Sequence, residues 1–516
     1  MVGGSMSGKG RDVNTGGLPG QEVERRPAEV RAAIVASNSG NADGAKGGRK
    51  VEPSSEGLGE TKSSGVSATS MQGEEDLWQR CKAERGVWSE KMLMALERGV
   101  KGTVWFSLID KIYGERTLQL AWEKVKSNAG ACGVDGMSVE HFAKDSKSRL
   151  LTVNKRIREG TYEPKPVKRV HIPKLGSSET RPLGIPTVED RIVQTAVRMA
   201  IEPIFEREFA EHSYGFRPGR GCKDALRRVN ELLEKGLVHV VEVDIKGYFD
   251  NIPHEGLMKL VRERIADGRV LKLIESFLKQ GAMEMGEIEA EESETEEREK
   301  GTPQGGVISP LLANIYLDPL DQKMAQAGHE LVRYADDMVI LCPSAEAARQ
   351  VLCELQQWAA QAALTLHPEK TRVVDMGQPK AHFEFLGYKF WRGKKSGKIQ
   401  RYIRPKSEKK FQEGIKPYTK RANGHSLRVI IERIRPKLQG FYGYFKHASA
   451  EALSQIDGWV RGRLRSILRK RAGLKGRGRG RDHQKWNNHY LAEHGFFSLE
   501  AARSEEIISL RKAVTY

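Results

Sequence analysis

Two adjacent carboxylates give this sequence its clearest chemical signal. Asp336 and Asp337 follow Tyr334 and lie between two β-prone segments, 331–333 and 338–341. Such a pattern predicts the tip of a β-hairpin. Two acids held this close repel each other when both are ionised, and a divalent cation relieves the repulsion, since Mg²⁺ prefers hard oxygen ligands. The pattern therefore indicates half of a metal site for phosphoryl or nucleotidyl transfer, with an ordinary acidic hairpin as the alternative at this point.

A third carboxylate stands at the end of another predicted strand. The β-rich run 238–245 carries Asp244 near its carboxyl end, and the bulky Phe249 follows five residues later. This position can bring Asp244 beside the hairpin tip and complete a site that holds two Mg²⁺ for nucleotidyl transfer. Taken alone, Asp244 is equally interpretable as a surface acid at a strand end.

The elements around these acids alternate between helix and strand patterns. Apolar spacing predicts helices over 189–206, 257–280 and 311–327, and strands and loops over 160–187. Alternation in this order indicates an α+β catalytic domain over roughly 100–392.

The positive charge of the chain is confined to one segment. The net charge is +18, yet residues 391–480 hold 26 Lys or Arg against five Asp or Glu, a net +21, which leaves about −3 for the rest. A localised excess of this size indicates a polyanionic partner. Within it, residues 456–471 predict a helix with one apolar face. The opposite face carries Arg461, Arg465 and Arg469.

The remaining composition narrows the class of protein. Residues 1–75 contain no Phe, Tyr or Trp and are rich in Gly, Ser and Ala, which predicts a disordered extension. There is no apolar run long enough to span a membrane and no signal-peptide pattern at the N-terminus. The five cysteines form no CxxC pair, so neither a zinc ribbon nor a disulfide framework is indicated. We therefore expect a cytoplasmic protein with no membrane partner.

Eight sequence blocks in a fixed order carry a family resemblance. Over roughly 104–500 the chain resembles bacterial group II intron-encoded proteins, which are reverse transcriptases with maturase function. The blocks are A-C-G-V-D-G-M (131–137), R-P-L-G-I-P-T (181–187), S-Y-G-F-R-P-G-R (213–220), V-D-I-K-G-Y-F-D (243–250), G-T-P-Q-G-G-V-I-S-P-L-L (301–312), Y-A-D-D (334–337), P-E-K-T (368–371) and F-L-G-Y (385–388).

This resemblance implies a right-hand polymerase architecture, in which a fingers and palm domain precedes an α-helical thumb. The segment 434–445 is similar to the opening helix of the family's thumb, or maturase-specific domain. The expected divisions are a disordered extension (1–75), a helical part of the fingers (76–150), the reverse transcriptase fingers and palm (151–392), the thumb or maturase-specific domain (393–475) and a basic, DNA-binding-like tail (476–516).

The resemblance also implies a role for each acid. Asp244, Asp336 and Asp337 would be the catalytic residues and would hold two Mg²⁺, with the carbonyl of Ile245 as an extra ligand. Phe249 would block a ribose 2′-hydroxyl, which favours dNTPs over ribonucleotides.

Further residues are implied around the substrate. Lys174 and Arg181 would meet the triphosphate of the incoming nucleotide, which needs cations; a phosphate contact on template or primer is the alternative. Gln304, in the Pro-Gln-Gly turn, would lie beside that nucleotide. Residues expected to contact nucleic acid are Arg217, Arg220, Lys370, Arg461, Arg465 and Arg469.

The implied function is an RNA-directed DNA polymerase that binds its group II intron RNA, assists splicing and copies the RNA into DNA after insertion in a DNA target. A splicing-dedicated RNA-binding maturase is one alternative, and a reverse transcriptase of another lineage, such as a retron or phage-defence enzyme, is another. Larger family members carry an HNH-type endonuclease with paired cysteines. Because no cysteine follows Cys353, we expect that domain to be absent.

Overall fold

The computed structural model describes residues 83–99, 104–173, 180–284, 299–393, 397–476 and 480–514. The predicted disordered extension, 1–75, therefore lies outside the described residues. Among the described residues, no helix is both long and apolar enough to cross a membrane.

Five helices open the described chain and form an apolar layer. They are α1 (Glu90–Arg98), α2 (Ile109–Tyr113), α3 (Glu115–Asn128), α4 (Val139–Lys144) and α5 (Ser146–Glu159). In α3 the buried residues recur at helical spacing, with Leu118, Ala121, Trp122 and Val125 on one face. That face packs on the central helix α6 (Val188–Glu206).

A small sheet follows these helices and carries the R-P-L-G-I-P block. Strand β1 (Val167–Pro173) pairs antiparallel with β2 (Thr180–Ile185) and parallel with β4 (Ala282–Glu284), giving the order β2-β1-β4.

The second sheet holds all three candidate acids. Its strands are β3 (His239–Asp244), β5 (Glu330–Tyr334), β6 (Asp337–Cys342) and β7 (Arg372–Asp375), in the antiparallel order β5-β6-β3-β7. The strand predicted over 238–245 and the hairpin predicted around Tyr334 are therefore both present.

Both faces of this sheet are covered, and the two-residue alternation along each strand decides which side chain faces which layer. On β3 and β6, Val241, Val243, Met338 and Ile340 join the core formed with the helices. The alternate positions, among them Val240, Val339 and Leu341, join a second core shared with the C-terminal domain. The acids at the ends of these strands are consequently held between two packed layers.

Helix α7 (Cys222–Glu234) packs in the second core. The helices on the first face are α6, α8 (Tyr248–Asn251), α9 (His254–Arg262), α10 (Gly268–Leu278), α11 (Ser309–Gln326) and α12 (Ala345–Gln361). They confirm the helices predicted over 189–206 and 311–327. The single helix predicted over 257–280 is wrong, because the chain breaks between α9 and α10. There Asp267 caps α10 through the amides of Arg269 and Val270 and also accepts hydrogen bonds from the amides of Leu108 and Ile109.

The C-terminal domain begins with a three-stranded sheet and continues as helices. The sheet contains β8 (His382–Phe385), β9 (Tyr388–Arg392) and β10 (Ile399–Ile403), in the order β10-β9-β8. The helices are α13 (Pro405–Ile415), a 3₁₀ turn (Lys416–Thr419), α14 (Leu427–Phe445), α15 (Ala450–Arg471), α16 (Arg481–Lys485), α17 (Asn488–Glu493) and α18 (Leu499–Val514).

The described residues of the segment predicted as a separate tail (476–516) pack into this same domain. Leu491, Phe496 and Leu499 are buried in the core that α14 and α15 form. The fully buried carboxylate of Asp457, on α15, accepts hydrogen bonds from the backbone amides of Leu499 and Glu500 at the start of α18. The expectation of a basic tail overlooked these apolar residues, although the segment carries seven Lys or Arg against five Asp or Glu and so has little net charge.

Candidate active site

The tip of the β5–β6 hairpin is a two-residue turn of Ala335 and Asp336, closed by the pair Tyr334 and Asp337. Ala335 adopts a φ of 57°, a left-handed conformation in which glycine is the usual residue. The S-Y-G-F block packs directly on this turn. A Cβ placed on Gly215 would lie 2.2 Å from the Ala335 nitrogen, so only glycine fits against the tip.

A buried cation anchors the turn from behind. The Arg333 side chain is fully buried and binds the Asp321 carboxylate, with Nε 2.8 Å from Oδ1. Its Nη1 donates to Asn314 Oδ1 at 2.9 Å and to the Ala335 carbonyl at 3.0 Å. The Asn314 amide in turn donates to the Gly215 carbonyl. A buried charge tolerates little displacement because every partner is needed to offset its desolvation, so this network fixes the tip.

The sheet register brings the third acid to the tip. Asp244 is the direct antiparallel partner of Asp337 across β3 and β6. Directly opposed residues carry their side chains on the same face, with Cα atoms about 5 Å apart. Asp337 Oδ2 also accepts a hydrogen bond from the backbone amide of Leu386, at 3.2 Å. Asp244 and Asp337 are therefore paired at one end of the sheet, next to the turn that carries Asp336.

Crowding and burial make Asp336 and Asp337 hard to ionise, since both raise the pKa of each carboxyl. Burial raises the pKa of Asp337 to about 7, and the charge of Asp336 adds to the shift. Burial also raises the pKa of Asp336, as does the charge of Asp244, whereas the nearby Arg181 guanidinium lowers it. A divalent cation at this edge would offset the repulsion that raises both pKa values.

A lysine pairs with the remaining acid. Lys370, from the P-E-K-T block, places its Nζ 2.9 Å from Asp244 Oδ2. Within the described part of the chain, no three His, Cys, Asp or Glu side chains already converge as a ligand set. The donors nevertheless fit a hard divalent ion in kind, since they are carboxylate oxygens on paired strands whose charges repel each other. The buried Ile245 follows Asp244 directly, where its carbonyl was expected to contribute.

Two of the predicted nucleotide-binding residues, Phe249 and Gln304, lie at the P-Q-G turn, where the Thr302 amide donates to the Phe249 carbonyl. Gln304 donates to Asp250 Oδ2 at 2.9 Å, one residue beyond Phe249, and its carbonyl accepts the Gly184 amide at 2.7 Å. The G-T-P-Q-G-G and R-P-L-G-I-P blocks are thus in direct contact. The exposed Arg181 lies on β2, near enough to Asp336 to affect its pKa. Lys174 lies outside the described residues.

Two family models match this chain. Residues 172–390 match the reverse transcriptase (RNA-dependent DNA polymerase) family, and residues 408–486 match the group II intron maturase-specific domain. The chain is 34% identical over 299 residues to protein YkfC of Escherichia coli K12, covering 50% of this chain and 76% of that protein. This chain belongs to the group II intron reverse transcriptase–maturase family.

Other relatives of this family member are similar over a shorter span. It is 40% identical over 209 residues to the group II intron-encoded protein LtrA of Lactococcus lactis subsp. cremoris, which covers 40% of this chain and 33% of LtrA. It is 37% identical over 210 residues to an uncharacterized 91 kDa protein in the cob intron of Schizosaccharomyces pombe, covering 39% of this chain and 24% of that protein. The match thus spans about a third of LtrA.

One candidate nucleic-acid contact of this reverse transcriptase–maturase is internal. Arg217 is buried, and its guanidinium binds the Glu206 carboxylate and the carbonyls of Ala210 and Ser213. Its predicted role as a nucleic-acid contact is therefore wrong, because no part of its cationic head is available. Arg220 is half-buried and lies over the Tyr214 ring.

The arginine face predicted on α15 of the maturase-specific domain points largely inward. Arg465 is buried and donates to the Trp486 carbonyl and to Asn488 Oδ1, each at 2.8 Å. Arg469 binds Asp482 at 2.6 Å. These two guanidinium groups hold the following helices in place. Arg461 lies 3.9 Å from Asp457, and Arg461 and Arg465 both line a surface recess of about 630 Å³. A nucleic-acid role for these three arginines stays a prediction.

Exposed positive charge of this domain lies at and just after the end of α15, on Lys470, Arg471 and Lys475. More of it lies on α13, the 3₁₀ turn, the loop that follows and the first half of α14. The exposed basic residues there are Lys406, Lys409, Lys410, Lys416, Lys420, Arg421, Arg428, Arg433 and Arg435. Sequence reasoning missed this surface because it looked for regular helical spacing. Simple clustering, as in Lys409-Lys410, was the available signal.

Proposed function

We propose that this chain is an RNA-directed DNA polymerase that binds its own group II intron RNA, assists its splicing and reverse transcribes it when the intron inserts in a DNA target. The observation that carries the proposal is the register of β3 against β6. It sets Asp244 opposite Asp337 and beside Asp336, in a chain that joins a reverse transcriptase domain to a maturase-specific domain.

Two Mg²⁺ are the proposed cofactors. Asp244, Asp336 and Asp337 would hold them, with the Ile245 carbonyl as a further ligand. Bound there, the ions would activate a primer 3′-hydroxyl and stabilise the departing pyrophosphate. The protein's part is to keep the carboxylates in place, which the Arg333 network does from behind the tip.

Residues around the P-Q-G turn would select and orient a dNTP. Phe249 is half-buried beside Tyr248, so its ring is fixed where it would exclude a 2′-hydroxyl. Gln304 is held by Asp250 at the same place. Arg181, with Lys174, would neutralise the triphosphate. Lys370 would leave Asp244 when a divalent ion binds and would then be available to a phosphate.

The exposed basic surface of α13 and α14 would contact the phosphates of the intron RNA. Its charges are not paired one to one with acids, since residues 391–480 carry 26 Lys or Arg and only five Asp or Glu. A surface of this kind favours a polyanion over a protein partner. Target DNA would be a second polyanionic partner.

The decisive experiment is primer extension on RNA and DNA templates with Mg²⁺ and the double variant Asp336→Ala/Asp337→Ala. We expect the variant to lose cDNA synthesis and to keep assisting splicing, because the splicing chemistry belongs to the RNA. Glu346→Ala, which removes an exposed carboxylate on α12, is the matched control. A double variant that still extends the primer would refute the metal assignment. A wild-type chain that assists splicing without polymerising would favour the splicing-dedicated alternative.

A further inference from the structure

The turn between β8 and β9 lies between helix α14 and the catalytic carboxylates. It consists of Leu386 and Gly387, whose φ angles are 48° and 78°. Two successive positive φ values define a type I′ hairpin turn. A leucine in this conformation is unusual, and such a residue persists when its surroundings hold it there.

The two polar backbone groups of Leu386 are held from opposite sides. Its amide donates to Asp337 Oδ2 at 3.2 Å. Its carbonyl accepts a hydrogen bond from the Tyr444 hydroxyl, on α14, at 2.9 Å. A single residue therefore joins a helix of the maturase-specific domain to a catalytic carboxylate.

The backbone carbonyl of Tyr444 also accepts a hydrogen bond. The Tyr388 hydroxyl donates to the Tyr444 carbonyl at 2.7 Å, and the two rings stack with centroids 6.2 Å apart. The amide of Arg404 donates to the Gly387 carbonyl at 2.9 Å. These contacts bind the turn to the C-terminal domain rather than leaving it as a free loop.

We propose that Tyr444 is a positioning residue, through which the maturase-specific domain sets the placement of Asp337 and with it the affinity of the site for divalent ions. The inference rests on the proposed function for its catalytic consequence. Binding of RNA to α14 would then reach the catalytic carboxylates through the Tyr444 hydroxyl and the Leu386 peptide groups.

The test compares Tyr444→Phe with Tyr442→Phe in the full chain. Tyr444→Phe keeps the ring and removes only the hydroxyl. Tyr442 lies two residues earlier on α14, and its hydroxyl donates to Glu506 at 2.7 Å, away from the tip. The measurements are the Mn²⁺ dissociation constant of the protein with a primer–template, by electron paramagnetic resonance, the Mg²⁺ concentration for half-maximal primer extension, and the midpoint of thermal unfolding.

For Tyr444→Phe we expect both metal constants to rise roughly three- to tenfold, the loss typical of one hydrogen bond, with RNA affinity unchanged. For Tyr442→Phe we expect neither metal constant to change. Equal metal constants in Tyr444→Phe and the wild type would overturn the inference. The inference would also be overturned if both variants lost activity in proportion to their loss of thermal stability while Mn²⁺ binding stayed unchanged. If the wild type fails to extend a primer, the proposed function falls, while Mn²⁺ binding still decides the role of Tyr444.

Discussion

At the scale of single residues, Asp318 on α11 is a half-buried carboxyl outside the catalytic set. Burial raises its pKa to about 6, and the charge of Asp321 adds to the shift. The folded chain therefore holds this proton more tightly than the unfolded chain does, where the pKa is near 3.8. Stability that is fully present below the unfolded pKa is lost as pH rises through about 6.

Replacing Asp318 by Asn should remove this loss. We expect Asp318→Asn to be more stable than the wild type at pH 8, by roughly 1–3 kcal/mol, and to match it near pH 4. The amide oxygen can still accept the hydrogen bond from the Ala210 amide. Thermal unfolding across this pH range measures the effect, with the exposed Asp145→Asn as control. A stability difference that is the same at every pH would contradict the assignment.

Phe249 offers a prediction about sugar selection. Phe249 directly precedes Asp250, whose carboxylate binds the Gln304 side chain. A smaller side chain at position 249 would therefore open space beside the proposed nucleotide. We expect Phe249→Val to raise the incorporation of ribonucleotides relative to dNTPs by about tenfold or more, because steric exclusion is the only barrier removed. Competition primer extension measures the ratio. An unchanged ratio with normal dNTP use would place the 2′-hydroxyl elsewhere.

Residue types and spacing predicted where the three aspartates lie, but they did not predict which arginines are buried. The positions of Asp244, Asp336 and Asp337 could be predicted because each lies at the end or the start of a β-rich run. The pairing of those strands then limits where the carboxylates can lie. Arg217 and Arg465 carry the same charge as a surface arginine. What buries them is a distant partner, such as Asn488 for Arg465, and sequence spacing does not reveal that contact.

At the scale of elements, the S-Y-G-F segment acts as a support for the hairpin tip. We expect Gly215→Ala to destabilise the chain by about 1–3 kcal/mol, because its Cβ would collide with the Ala335 backbone. A displacement of the tip by an ångström would lower polymerisation about a hundredfold. Thermal unfolding and primer extension measure the two effects. Gly414→Ala, inside α13 where a Cβ meets nothing within 4 Å, should be neutral or slightly stabilising.

The helices and strands that were predicted correctly are those whose local apolar pattern agrees with their tertiary packing. Helix α6 and the β5–β6 hairpin follow their apolar spacing, and the α+β class is confirmed. The break between α9 and α10 was not predicted because the residues that cause it lie far away in sequence. Asp267 serves the amides of Leu108 and Ile109 as well as its own helix, and no local propensity encodes that double role.

At the scale of the whole molecule, two cores meet at one sheet. The alternation on β3 and β6 sends half of the side chains toward the helices of the reverse transcriptase domain and half toward the maturase-specific domain. The sequence predicted both domains from motif order and charge. It could not predict that residues 481–514 complete the second core, because their apolar residues follow no regular helical spacing and gain meaning only against α14 and α15.

The charge of the whole molecule leads to a last prediction, on salt dependence. A protein that neutralises phosphates with Lys and Arg releases condensed counterions, so log affinity falls linearly with log salt, by roughly 0.7–0.9 per contact. We expect Lys409→Gln/Lys410→Gln to weaken intron RNA binding and to flatten this slope by about 1–2, since both side chains are exposed on α13. The double variant Lys235→Gln/Lys259→Gln removes two exposed lysines of the reverse transcriptase domain and should leave the slope closer to that of the wild type. Filter binding at several salt concentrations measures both. Equal slopes in the two double variants would mean that the attraction is spread over the whole surface rather than concentrated on α13 and α14.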